Sequence, residues 1–155
     1  MSITFSIPNK RGFLGFQKVL KISELLGFVD GLEPHPIQKE FVYLGLDKIA
    51  LLKCWVPAKS GRYIDLEYDK TQQTYNVQIL TPSTLADWSQ ALTLVSKLSS
   101  RLGTSIRDEH GREYSSSSVW DYPYQEDIVF GLEAFLKSGY ELVYQDGIRR
   151  TLALS

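Results

Sequence analysis

Residues 82–114, PSTLADWSQALTLVSKLSSRLGTSIRDEHGREY, decide the fold. Within them Leu85, Trp88, Leu92, Val95 and Leu102 recur at steps of three and four or their multiples, and Ala91, Leu94 and Leu98 widen the stripe. Ser89, Gln90, Thr93, Lys97, Ser100 and Arg101 take the other side, so the spacing predicts one long amphipathic helix lying on a core. Ser83 or Thr84 is placed to accept amide bonds of the first turn, and Asp87 sits where a carboxylate favours the positive helix end. Gly103 follows Leu102 as the residue free to turn left-handed and stop the helix. Ser105–Arg107 and Arg112–Tyr114 then flank Asp108–Gly111 as a short hairpin.

Before this stretch, Ile3, Phe5 and Ile7 alternate with Ser2, Thr4 and Ser6 as a half-buried strand that ends at Pro8. The apolar residues between Arg11 and Phe28 predict one or two short helices, with Gly27 as a stop. Gly31 to Pro36 reads as a loop, because Pro34 and Pro36 both disfavour helix before them. Phe41 to Leu46 and Ile49 to Val56 read as strands. Arg62–Tyr68 and Thr74–Leu80 alternate cleanly about a polar turn and form the clearest antiparallel hairpin.

After it, Ser115 to Pro123 is a serine-rich loop of flexible composition. A second long helix follows, with Glu126 and Asp127 in its first turn and Ile128, Leu132, Phe135 and Leu136 on one face. Tyr140–Gln145 and the strand beginning at Ile148 flank Asp146-Gly147, a strong two-residue hairpin signal. Strands thus come as adjacent pairs and do not alternate with helices. The expected class is α+β: a mostly antiparallel sheet built from hairpins, packed by two long amphipathic helices, in a single domain over residues 1–155.

Composition narrows the function classes. The chain has 155 residues, 43% of them hydrophobic and 23% charged, which fits a packed globular fold. Lys and Arg total 17 against 18 for Asp and Glu, so no broad field draws nucleic acid or an anionic membrane. Lys10, Arg11, Lys18 and Lys21 supply only part of a basic face. One cysteine, Cys54, permits no internal disulfide and no cysteine-based zinc site. No secretion signal opens the chain and no apolar run reaches a membrane span. A cytoplasmic protein is expected, with neither nucleic acid nor membrane as partner.

No catalytic constellation is legible. Phosphate-loop, dinucleotide, nucleophile-elbow and zinc-protease patterns are absent, so no cofactor and no catalytic residue is assigned. Asp108, Glu109, His110 and Glu113 are the densest titratable cluster, readable as a metal or acid–base site or as a solvated turn; turn chemistry explains Asp and Gly there. His35 between two prolines reads as an exposed loop residue and Cys54 as a buried inert thiol. Asp65, Glu67 and Asp69 match no calcium loop, and no metal site is assigned. Arg149 and Arg150 alternate on a strand and so cannot serve one anion site. The aromatic loop offers the best binding residues, Trp120, Tyr122 and Tyr124, against the reading that Trp120 plugs the core while the tyrosines flank the helix.

SITFSIPNK, SGRYIDLEYD, TPSTLADW and RDEHGREYS, with a helix near the end, resemble a bacterial family known as domain of unknown function 4299. That resemblance spans nearly the whole chain. It implies a one-domain bacterial cytoplasmic protein and carries no catalytic or ligand-binding residue. The expected function is a small non-enzymatic protein that works by binding another protein. The alternative is a small-ligand binder or an enzyme whose pocket is built from residues distant in sequence.

Overall fold

The structure, a computed structural model, describes residues 2–10, 20–34, 53–55, 64–69, 71–81, 83–138, 140–145 and 148–153. Among them, β1 (Ser2–Pro8), β4 (Ile64–Asp69) and β5 (Thr74–Leu80) form the centre of an antiparallel sheet. Its strand order is β2-β3-β4-β5-β1-β6-β7, where β2 is Glu33–Pro34, β3 is Lys53–Trp55, β6 is Ile106–Arg107 and β7 is Glu113–Tyr114. The β4–β5 hairpin has the expected register, Leu66 opposite Val77 and Asp69 opposite Thr74. Asp69 holds its turn by accepting from the Thr71 and Gln72 amides at 2.9 and 3.0 Å.

Alternation along these strands divides the sheet. Phe5, Ile7, Ile64, Leu66, Tyr68, Tyr75, Val77, Ile79 and Ile106 point into one core. On the opposite face, Ser6 Oγ donates to Asn76 Oδ1 at 3.0 Å and Gln78 Nε2 donates to Ser2 Oγ at 2.8 Å, polar links between neighbouring strands.

The helix α2 (Leu85–Leu102) covers the apolar face. Trp88, Ala91, Leu92, Leu94, Val95, Leu98 and Leu102 are all buried, as the stripe predicts. Thr84, and not Ser83, is the cap: its hydroxyl accepts from the Asp87 amide at 3.1 Å, while Asp87 Oδ2 accepts from the Thr84 amide at 2.9 Å. Ser83 donates instead to the Leu80 carbonyl. Gly103 ends the helix at φ 68°, a conformation that favours glycine. Leu85 departs from the stripe; at the first helical position it is 63% exposed. Removing the Thr84 hydroxyl (Thr84→Ala) is expected to cost about 1–2 kcal/mol, read as a lower urea midpoint with unchanged m-value.

A short helix, α1 (Ile22–Leu26), packs Leu25 into the same core. Arg101 of α2 pairs with Glu24 on it, and Lys97 Nζ donates to the Phe28 carbonyl at 2.7 Å. The expected loop at Gly31–Pro36 contains an edge strand, β2, whose Glu33 lies opposite Trp55; a proline is tolerated there because an edge leaves one side of the strand without a ladder partner.

The expected serine loop is also ordered. Ser115 Oγ accepts from the Ser118 amide at 3.0 Å and Ser118 Oγ accepts from the Ser115 amide at 2.7 Å, a reciprocal clasp that opens a 3-10 turn over Ser118–Asp121. Ser96 Oγ of α2 donates to the Ser116 carbonyl at 2.5 Å and ties this turn to the helix.

The last helix, α3 (Tyr124–Lys137), is followed by the hairpin β8 (Tyr140–Gln145) and β9 (Ile148–Ala153), which closes on Gln145 opposite Ile148. α3 packs along β8 and reaches the main core through Tyr124 and Ile128. The fold is α+β with antiparallel sheets. Residues 11–19, 35–52 (with the expected strand Phe41–Leu46 and the start of Ile49–Val56), 56–63 and the turn 146–147 lie outside the described residues.

Candidate functional site

The acidic turn is a piece of scaffold. Asp108 is buried, not solvated: its Oδ1 accepts from the His110 and Arg112 amides at 2.9 and 3.0 Å, and its Oδ2 accepts from the Tyr114 hydroxyl at 2.9 Å. Gly111, at φ 78°, lets the chain double back so that the Arg112 carbonyl accepts from the Asp108 amide. Glu109 extends the sheet in place of backbone, its Oε1 accepting from the Thr4 amide on β1 at 2.8 Å. Arg107 and Glu113 form an ion pair at 2.5 Å across the β6–β7 ladder. His110 is exposed, and among the described residues no group of three or more His, Cys, Asp or Glu is arranged to hold a metal.

The aromatic residues reverse the reading in which Trp120 plugs the core. Tyr122, not Trp120, enters the core: it is 6% exposed, edge-on to Phe5 at 5.0 Å and stacked on Trp88 at 5.5 Å. Tyr124 stacks beside it on Trp88 at 5.9 Å, and Tyr114 meets Tyr122 edge-on at 6.2 Å. Trp120 is 46% exposed and takes no part in the cluster. Of the three expected binding residues, only Trp120 therefore offers a free ring. The core ring could not be chosen from the sequence, because the 3-10 turn spans four residues, too few to show a hydrophobic period.

Burial sets the phenols. Tyr75 is pushed well above the ordinary tyrosine range by desolvation, with Tyr68 and Glu24 adding to the shift. Tyr122 is raised by desolvation and then by Asp127, whose Oδ2 accepts its hydroxyl at 2.7 Å. Unfolded, these groups lose protons near pH 10; folded, they keep them to higher pH. Their contribution is complete below about pH 10 and is lost above it, by up to about 1.4 kcal/mol per pH unit for each buried phenol. Urea midpoints are expected to stay level to about pH 9.5 and to fall steeply beyond; a flat profile to pH ~11.5 contradicts this.

Two grooves remain. One, of about 600 Å³, lies at the end of α2 and is lined by Ser99, Thr104, Glu113, Tyr114 and Ser116 among others. Much of its polar surface is engaged: Glu113 by Arg107, Tyr114 by Asp108, and Ser99 Oγ by the Thr104 carbonyl at 2.5 Å. The other, of about 400 Å³, runs along α3 between Gln125, Glu126, Val129, Phe130 and Glu133. It belongs to an apolar face left open to solvent, with Phe130 61% and Leu136 59% exposed and Val129 and Leu132 also exposed. Of the face expected to be buried, Ile128 and Phe135 are half-buried, whereas Leu132 and Leu136 point outward.

A family model, described as a domain of unknown function (DUF4299), matches residues 2–155. The chain belongs to that family. No curated protein and no solved structure matches it. In this DUF4299 chain, no described helix is long and apolar enough to cross a membrane. Of the remaining sequence candidates, His35, Arg11 and Lys18 lie outside the described residues. Cys54 stands opposite Leu66 in the β3–β4 ladder, and Arg149 and Arg150 stand opposite Tyr144 and Val143 in β9.

Proposed function

We propose that this is a small, one-domain, cytoplasmic bacterial protein without enzymatic activity that acts by binding another protein, and that α3 is the surface it uses. The observation that carries the reading is four exposed apolar residues on one helix, Val129, Leu132 and Leu136 along one side and Phe130 across the groove beside Val129. Contiguous apolar surface of this kind marks interaction sites, because leaving it in water is costly. The titratable residues support the same reading from the other side, since Asp108, Glu109, Glu113 and Asp127 are each engaged in holding a turn, a strand or a tyrosine. Nucleic acid is not the proposed partner, given a net charge of -1. Trp120 is a second, separate contact.

The test is affinity capture with wild-type, Phe130→Glu and Trp120→Ala protein, followed by titration of the purified partner. Phe130→Glu is expected to weaken binding at least about tenfold and Trp120→Ala less. Equal affinity for wild type and Phe130→Glu overturns the assignment to α3. Tyr122→Ala is unsuitable here, because it removes a core ring.

A second reading, a small polar ligand in the groove at the end of α2, is favoured by the size of that groove and its hydroxyl lining. It predicts saturable chemical-shift changes at Ser100, Ser105 and Ser116 on adding polyols or sugars.

A further inference from the structure

Resting on the reading of α3 as a binding surface, we infer that its occupant is a basic amphipathic helix of a partner protein. The shape of the face specifies a helix. Val129, Leu132 and Leu136 follow at steps of three and four, the seam that an apposed helix fills with its own side chains, over about 10 Å of axis. Phe130 lies across Glu126 and Glu133 from the seam and forms the far wall of the groove that opens beside Val129.

The charge of the rim specifies the sign. Glu126 and Glu133 are both exposed, stand two turns apart on one edge of the seam, and both line the groove around Val129 and Phe130. Among the described residues neither makes an ion pair. Asp127, by contrast, is committed to the Tyr122 hydroxyl. Lys137 stands one turn beyond Glu133 and does not line the groove, whose charged lining is Glu126 and Glu133. With a whole-chain net charge of only -1, selection for a cation comes from those two carboxylates and not from a general field.

The same carboxylates disfavour a second copy. Antiparallel self-pairing sets the Glu126–Glu133 edge against its own counterpart, and parallel pairing sets the acidic first turns side by side. They also disfavour an anionic lipid surface. A partner helix with apolar residues at heptad spacing and Lys or Arg beside them satisfies both the seam and the rim.

The experiment titrates the full chain with two peptides of about 18 residues, each with Leu at the seam positions and with either Lys or Glu at the flanks. The Lys peptide is expected to bind at least about tenfold more tightly than the Glu peptide at low salt, and the ratio to shrink as salt rises. The double change Glu126→Lys with Glu133→Lys is expected to reverse the preference, and Phe130→Ser to weaken both peptides at least about tenfold. Equal affinities, or a preference unmoved by the charge reversal, overturn the basic partner while leaving α3 as a binding face. Concentration-dependent dimerisation that blocks the peptides, or uptake by anionic vesicles, assigns the face to those occupants and overturns the inference. If Phe130→Ser changes nothing for any ligand, the reading of the face itself fails.

Discussion

Replacing Trp88 with alanine is expected to remove about 3–5 kcal/mol of stability, which in a chain of this length lowers the melting temperature by roughly 6–20 °C. Trp88 is fully buried and is where four parts of the fold meet: its own helix α2, Phe5 of β1 edge-on at 6.3 Å, Tyr122 after the serine turn, and Tyr124 at the start of α3. Alanine leaves a cavity lined by ring faces that cannot collapse without moving strands and helices together. The indole Nε1 is buried with no hydrogen-bond partner among the described residues, so the loss is one of packing. Trp88→Phe also removes that orphan donor and is expected to lose less than half as much. Urea unfolding followed by far-ultraviolet circular dichroism measures both. A loss below about 1 kcal/mol for alanine contradicts the placement of the ring.

Asp108→Ala is the second large effect, about 2–4 kcal/mol. The substitution strands three donors at once, the amides of His110 and Arg112 and the hydroxyl of Tyr114, and the turn they close holds β6 to β7 and presents Glu109 to β1. The lower end applies if water reaches the two amides, since His110 and Arg112 are exposed. His110→Ala, in contrast, is expected to stay within about 0.5 kcal/mol of wild type. The pair separates scaffold from chemistry: a catalytic or metal-binding turn would respond to loss of the histidine in a binding or activity assay, whereas a hydrogen-bonded turn responds to loss of the aspartate in stability.

The elements that could be read from sequence are those whose cause is local. α2 is one: its stripe, its Thr84 cap and its Gly103 stop all lie within the helix or next to it. The β4–β5 hairpin is another, because alternation and turn chemistry occur in one run of residues. Placement of β1 between β5 and β6 is not local; it joins residues some seventy to a hundred positions apart, and strand alternation does not name a neighbour. The order of the serines at 115–118 is not legible from composition, which cannot show that two hydroxyls clasp each other's amides.

The candidate site was less legible still, and for a physical reason. A periodic apolar face on a helix announces that the face wants cover, not whether this chain supplies it. Leu132 and Leu136 obey the same spacing as Leu94 and Leu98, yet α2 lies on a sheet while the outer side of α3 does not. Leu85 makes the same point within α2 itself: it keeps the spacing of the stripe and is 63% exposed.

The most direct test of the account is the urea stability of Phe130→Glu, since the whole assignment of α3 depends on that side chain being outside the core. A charge placed on an open helix face is expected to change stability by no more than about 0.5 kcal/mol, with an unchanged m-value. A loss above about 2 kcal/mol would mean that Phe130 is packed within the folded chain, and that α3 has no free face to offer a partner.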